Sequence, residues 1–88
     1  MSKKPLFKLG QIVSTPGAIE LGVDLLSYLS RHITGDWEDM CDEEKAENKN
    51  AVLVGNRIFS SYQTPTGKLW IITEADRSVT TFLLPDEY

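Results

Sequence analysis

Cysteine is almost absent from this sequence. Its 88 residues include one cysteine, Cys41, so no disulfide can form within the chain. Disulfides are typical of proteins from oxidising compartments, and their absence fits a reducing one. The basic start, Met-Ser-Lys-Lys-Pro, is not followed by the apolar stretch that a signal peptide requires. We therefore predict a cytoplasmic protein.

Long apolar runs and an excess of basic charge are also missing. No apolar run is longer than that of residues 69–72, which is far too short to span a bilayer, so no membrane insertion is expected. Nine Lys and Arg stand against thirteen Asp and Glu, for a formal net charge of −4. Because nucleic-acid affinity depends on basic side chains that neutralise phosphates, direct nucleic-acid binding is not expected.

Motifs of known chemistry are lacking as well. The sequence contains no glycine-rich phosphate loop, no paired-cysteine metal motif and no glycine-serine-glycine nucleophile elbow. Cys41 has no oxyanion-forming glycine turn beside it and is predicted to be inert. We therefore expect no cofactor and no bound metal, and a non-enzymatic protein is favoured over an enzyme.

What the sequence does contain is an ordinary globular composition. Apolar residues make up 41% of the chain and charged residues 25%, which is typical of folded domains. A chain of this length forms one domain and not two. We predict a single domain over residues 1–88, in which residues 1–6 form a flexible tail.

The pattern of apolar residues predicts three helices followed by a β-meander. A short strand is expected at residues 9–14, because Ile12 and Val13 lie at its centre. Capping and periodicity signals then predict helices, and from Arg57 the apolar period changes to two. The predicted class is α+β, an antiparallel β-meander of three to four strands packed against two or three N-terminal helices. The predicted helices are residues 16–21, 24–33 and 42–54, and the later strands are residues 57–64, 68–74 and 79–84.

The connection after the second predicted helix carries most of the candidate binding residues. Trp37 lies there among acidic residues, and it either folds back onto the core or is exposed for a partner. In the exposed case Trp37, Glu38 and Asp39 would contact a protein partner, because aromatic residues concentrate binding energy. Asp76 and Arg77, from the turn between the last two predicted strands, would flank them.

A catalytic alternative uses the same region. His32 and Asp36, joined by Glu74 and Asp76, could ligate a metal or act as acid and base in a small hydrolase. A simpler interpretation is that His32 and Arg31 stabilise the helix end through the helix dipole, while a following carboxylate caps the next element. One histidine with scattered carboxylates is not a metal signature, so the simpler interpretation is favoured.

Arg77 also suggests a structural contact. It lies in a tight turn between apolar strands, beside Glu74 and Asp76. We predict an ion pair from Arg77 to Asp36 or Asp39. It would hold the connection between the second and third predicted helices, residues 34–41, against the sheet, and we call these residues the acidic connection.

The acidic segment permits a third interpretation, in which it imitates DNA phosphates and inhibits a defence nuclease. Lys45 and Lys49 interrupt the acidic series, and acidic residues at a helix start are stabilising in any protein. The series is Asp36, Glu38, Asp39, Asp42, Glu43, Glu44 and Glu47.

Several strings resemble a family of small bacterial proteins carried on plasmids and other mobile elements. They are residues 9–18 (LGQIVSTPGA), Arg31-His32 with Gly35-Asp36-Trp37, and residues 70–78 (WIITEADRS) with Thr80-Thr81 and Leu83-Leu84-Pro85. Members are often labelled plasmid-related proteins or attached to type I restriction-modification systems. The resemblance implies a mobile-element setting and brings no activity, fold or site. A methyltransferase subunit would need a cofactor-binding domain and an Asn/Asp-Pro-Pro-aromatic motif, and this chain has neither.

The function that the sequence favours is a non-enzymatic accessory protein that binds another protein. The small hydrolase and the DNA mimic are the alternatives. Apolar side chains on both faces of the predicted strands also make a homodimer possible.

Overall fold

The computed structural model describes residues 4–88. Every predicted helix and strand is present, with ends that lie within two residues of the prediction, and the last described element is a 3₁₀ turn. The elements are β1 (Gln11–Ser14), α1 (Pro16–Glu20), α2 (Leu25–Ile33), α3 (Asp42–Val54), β2 (Ile58–Thr64), β3 (Gly67–Thr73), β4 (Val79–Leu83) and the turn Pro85–Glu87.

Local capping explains where the helices begin and end. The Thr15 side chain accepts the Ala18 N–H at 3.3 Å, and Pro16 occupies the first position of α1. These are favoured residues at those positions. Gly55 ends α3 in the left-handed conformation, at φ 80°, where a side chain would be strained.

The four strands form one sheet in the order β1-β4-β3-β2. The α+β class is confirmed, but the purely antiparallel sheet is wrong, because β1 runs parallel to β4 while the other pairs are antiparallel. The helices lie between β1 and β2 in the chain rather than before all the strands. Because three helices separate β1 from the meander, the connection is long enough for β1 to pair with a strand of the meander in either the parallel or the antiparallel direction.

The inner face of the sheet packs against the helices. Alternate residues of β2, β3 and β4 are almost fully buried and join helix residues in one core. This alternation is the pattern expected for a sheet with one covered face. The core comprises Ala18, Leu21, Leu29, Trp37, Met40, Ala51, Ile58, Tyr62, Leu69, Ile71 and Phe82.

The outer face carries a row of side chains across all four strands that is apolar except at Thr81, and we call it the apolar row. The register aligns Val13 with Thr81, Thr81 with Ile72, and Ile72 with Phe59. Trp70 lies half-buried on this face. Its ring meets the rings of Phe59 and Tyr88 edge-on, at centroid distances of 4.9 and 5.8 Å.

The ends of the described region bear on two further predictions. Of the predicted flexible tail, residues 1–3 lie outside the described residues, whereas Leu6 donates its N–H to the Ile33 carbonyl at 2.8 Å. Within residues 4–88, none of the helices combines the length and the apolar character needed to cross a membrane.

Candidate functional site

His32, the sole histidine of the chain, is completely buried between α2 and the sheet. Its Nδ1 is hydrogen-bonded to the Ser60 hydroxyl, and its Nε2 lies 2.8 Å from the Thr73 hydroxyl oxygen. Burial lowers the pKa of His32 to about 3, because a charged imidazolium is poorly solvated in the interior. The ring is therefore neutral at pH 7, and the predicted interaction of a positive His32 with the helix dipole is wrong.

The contacts of His32 continue through two more hydroxyl groups. The Thr73 and Thr80 oxygens are 2.8 Å apart, and Thr80 donates to the Leu9 carbonyl at 2.7 Å. Because that carbonyl only accepts, Thr73 must donate to Thr80 and accept from His32 Nε2–H. Nδ1 then accepts from Ser60. We call these four side chains, His32, Ser60, Thr73 and Thr80, the His32 network.

The His32 network is closed to solvent. All four of its side chains are fully buried. The Phe7 ring packs edge-on against His32 at a centroid distance of 5.1 Å, and the Arg77 guanidinium lies 5.6 Å from the Phe7 ring centroid. A catalytic histidine needs access to a reacting atom. This arrangement instead joins α2, three strands and the N-terminal segment through satisfied polar groups.

The predicted catalytic residues do not converge. The Asp36 carboxylate forms an ion pair with Arg31, with an N–O distance of 2.9 Å. Glu74 forms a separate ion pair with Arg57, with an N–O distance of 3.5 Å. Asp76 is exposed and accepts the Ser78 N–H at 3.0 Å. Hydrogen bonding from the Ser78 side chain, together with this backbone bond, lowers the pKa of the Asp76 carboxyl. Within the described chain, no group of three His, Cys, Asp or Glu side chains could hold a metal ion.

Trp37 folds back onto the core. Its side chain is 3% exposed, and its Nε1 is buried with no hydrogen-bond partner among the described residues. Of the two possibilities that the sequence left open, the structure has the inward one, so Trp37 is not available as a surface anchor. Glu38 and Asp39 remain exposed beside it.

Arg31 holds the acidic connection in place. It pairs with Asp36 at 2.9 Å and with Asp39 at 3.6 Å, and its guanidinium lies 4.5 Å from the Tyr62 ring centroid. Tyr62 in turn donates its hydroxyl to the Asp36 carbonyl at 2.8 Å. The connection is thus held against the sheet by an arginine of α2, and the prediction that Arg77 does this is wrong.

Arg77 acts at the other end of the sheet. It is a non-glycine residue with a left-handed backbone, at φ 60°. Its guanidinium donates to four backbone carbonyls, those of Ala51, Asn56, Glu74 and Ala75. The β3–β4 turn and the acidic connection lie at opposite ends of β3, roughly 20 Å apart at the usual rise per residue. The predicted partner-binding residues therefore do not form one surface.

The β2 edge of the sheet is covered by side chains. The Asn48 amide of α3 pairs with both the N–H and the carbonyl of Phe59. Asp39 accepts the Gln63 N–H at 3.1 Å. Side chains thus take hydrogen bonds that an added strand would use, which is one way in which proteins protect a sheet edge.

The β1 edge is different. Gln11 and Thr15 donate their N–H groups to the carbonyls of Ser78 and Phe82 on the β4 side. Because the backbone groups of successive strand residues point to opposite sides, the N–H and C=O of Ile12 point away from β4. Within the described residues, no other strand pairs with this side of β1. Ile12 is 47% exposed and Val13 is 37% exposed. The edge is uncharged and has neither Lys nor Pro, the usual protective residues.

Sequence reasoning identified β1 as a strand but missed this edge. The signal was present in the uncharged string Gln11-Ile12-Val13-Ser14, yet only the strand order shows that it lies at an edge. The aromatic cluster of the outer face was also missed. Together with Ile72, Glu47 and Arg57, this cluster lines a shallow cleft of about 350 Å³. The aromatic rings contact one another, so no slot for a ligand lies between them.

Comparison of the chain with protein-family models, with curated proteins and with solved structures returned no match.

Proposed function

We propose that this chain is a non-enzymatic protein-binding module that accepts a β-strand at its β1 edge. The observation that carries the proposal is that one edge strand of the sheet is covered by side chains and the other is not. Side chains of α3 and of the acidic connection cover the β2 edge at Phe59 and Gln63, whereas the described chain leaves the β1 edge without a neighbouring strand.

Strand addition suits the chemistry of this edge. Main-chain groups of Ile12 and Ser14, directed away from β4, supply hydrogen bonds that are independent of partner sequence. The side chains of Ile12 and Val13 point to opposite faces, and both are substantially exposed. Apolar contacts on the two faces would therefore select a strand with apolar residues at neighbouring positions.

The arrangement of the ionisable groups favours binding over catalysis. His32 has both nitrogens engaged by hydroxyl groups inside the core. The carboxylates of the hydrolase alternative are separated, with Asp36 held by Arg31 and Glu74 by Arg57. The resemblance to plasmid-borne proteins supports an accessory role in a mobile element and adds no residue to the site.

The test compares two Lys substitutions at exposed apolar residues. Ile12→Lys places a charge at the β1 edge, while Leu53→Lys is the matched control on α3, where Leu53 is 84% exposed. Tagged wild type and both variants are used to capture proteins from a lysate of the organism that carries the gene. We expect bound proteins to be lost with Ile12→Lys and retained with Leu53→Lys, at unchanged melting temperatures. Equal recovery by all three would contradict the proposal.

A further inference from the structure

We infer that the strand accepted at the β1 edge is β1 of a second copy, paired antiparallel about a two-fold axis through Val13. The inference rests on the proposed function and names its partner. It is carried by three features of the edge: its hydrogen-bonding register, its position on the apolar row and its charge.

The register is the first feature. With the axis at Val13, Ile12 lies opposite Ser14 of the partner and Ser14 lies opposite the partner's Ile12. These are the β1 residues whose backbones point away from β4. Each of the two pairs exchanges both of its N–H···O bonds, as in an antiparallel ladder, so four hydrogen bonds form. An isologous interface of this kind closes on itself.

Neighbouring registers use the edge less well. An axis at Ile12 would place Ser14 opposite the partner's Gly10. Gly10 has φ 66° and lies outside β1, and a Cβ on it would come within 2.4 Å of the carbonyl oxygens of Arg77 and Ser78. Its backbone therefore packs closely against the β3–β4 turn and cannot extend the ladder. The axis at Val13 is the one that engages both available residues.

The outer face is the second feature. Val13 ends the apolar row that continues through Thr81 and Ile72 to Phe59. In the two-fold pair Val13 faces the partner's Val13 on this same side of the sheet. The row then crosses eight strands without interruption, and the exposed part of Val13 is covered.

Charge is the third feature. Each copy carries a net charge of −4, so two copies repel, yet residues 9–19 contain no charged side chain. Repulsion is therefore smallest where these segments meet. Lys8 precedes this segment, and Glu87 is bonded to Thr15 and Gly17 near its other end. Antiparallel pairing therefore directs ends of opposite charge, rather than of like charge, toward each other.

The expected dimer depends on concentration. One short strand per copy gives an interface at the small end of the range for specific association. Sedimentation of the wild type is expected to show a monomer that becomes a dimer as concentration rises. Ile12→Pro removes a backbone N–H that points away from β4, and proline is tolerated at such edge positions. This variant is expected to remain a monomer at every concentration.

Cysteine cross-linking tests the register directly, in a Cys41→Ser background that removes the native thiol. Opposed residues of a non-hydrogen-bonded pair have Cα atoms about 4.5 Å apart, within the range that a disulfide spans. Val13→Cys is therefore expected to form a disulfide-linked dimer under mild oxidation. Gln11→Cys is the control on the same face, because four residues of offset separate its two copies by about 13 Å.

The outcomes separate the inference from the function on which it rests. Cross-linking of Val13→Cys but not of Gln11→Cys supports the two-fold pair. Equal cross-linking of both, or of neither, overturns it, as does a wild type that stays monomeric at all concentrations. If the wild type is monomeric but Ile12→Lys still abolishes capture from the lysate, the strand partner is another protein and the proposed function stands.

Discussion

Asn48 pairs with the backbone of Phe59 through both ends of its side-chain amide. Its Oδ1 accepts the Phe59 N–H at 3.2 Å, and its Nδ2 donates to the Phe59 carbonyl. An amide side chain on α3 thereby makes the two bonds that a residue of a fifth strand would make. This pairing protects one sheet edge, and the contrast with β1 suggests where an added strand would bind.

Replacing Asn48 is expected to destabilise the fold and to open the β2 edge. Asn48 is 4% exposed, and Asn48→Ala removes both of its hydrogen bonds to the Phe59 backbone. Because the backbone groups of Phe59 lose their partners, the free energy of unfolding is expected to fall by about 2 kcal/mol. Asn50→Ala is the matched control on the same helix, because Asn50 is exposed. Urea denaturation measures the difference. Equal midpoints for the two variants would show that the pairing contributes nothing.

The His32 network is expected to respond to the loss of one hydroxyl. Thr73→Val removes the group that joins His32 Nε2 to Thr80 and leaves both without that partner. The predicted cost is about 2 kcal/mol in the free energy of unfolding, because buried polar groups become unsatisfied. Thr81→Val makes the same change on the half-buried outer face. It is expected to alter stability by less than about 0.5 kcal/mol, and a similar loss in both variants would count against the network.

Stability is expected to fall as the pH drops below about 6.5. His32 has a pKa of about 3 in the folded chain, whereas an unfolded histidine has a pKa of about 6.5. Between these values the unfolded state binds a proton that the folded state does not, so acid favours unfolding. The slope of the unfolding free energy approaches about 1.4 kcal/mol per pH unit near the middle of this window.

The control for this pH dependence is His32→Asn, which cannot titrate. Since the chain contains one histidine, urea denaturation between pH 5 and 7 isolates its contribution. We expect the stability of the wild type to decline more steeply toward pH 5 than that of the variant. Parallel profiles would mean that His32 is charged, or exposed, in the folded protein.

Two substitutions separate the backbone and side-chain roles of Arg77. Both Arg77→Ala and Arg77→Gly remove the guanidinium bonds to Ala51, Asn56, Glu74 and Ala75, so both should lower the melting temperature. Glycine accepts φ 60° without strain. The glycine variant is therefore expected to be more stable than the alanine variant by about 1 kcal/mol. The reverse order in thermal unfolding would mean that the turn changes conformation once the side chain is lost.

Local signals in the sequence determined the helices and strands of this protein. Thr15-Pro16 marks a helix start because one residue supplies an acceptor and the other a suitable φ, and both effects act within a single turn. The period-two pattern after Arg57 likewise reflects the alternation of side chains along a strand. These features require no knowledge of distant residues, and the structure confirms the elements that they predicted.

Tertiary structure alone decided the direction of β1, the burial of His32 and Trp37, and the partners of Arg77. Each of these depends on groups far apart in the chain: Ile12 aligns with Thr80, and His32 bonds to Ser60 and Thr73. The period of the apolar residues indicates which side chains lie in the interior, but not which other residues they contact there. The open β1 edge, on which the proposed function depends, follows from the strand order. Among the described residues β1 has β4 on one side and no strand on the other, whereas α3 covers the opposite edge of the sheet at β2.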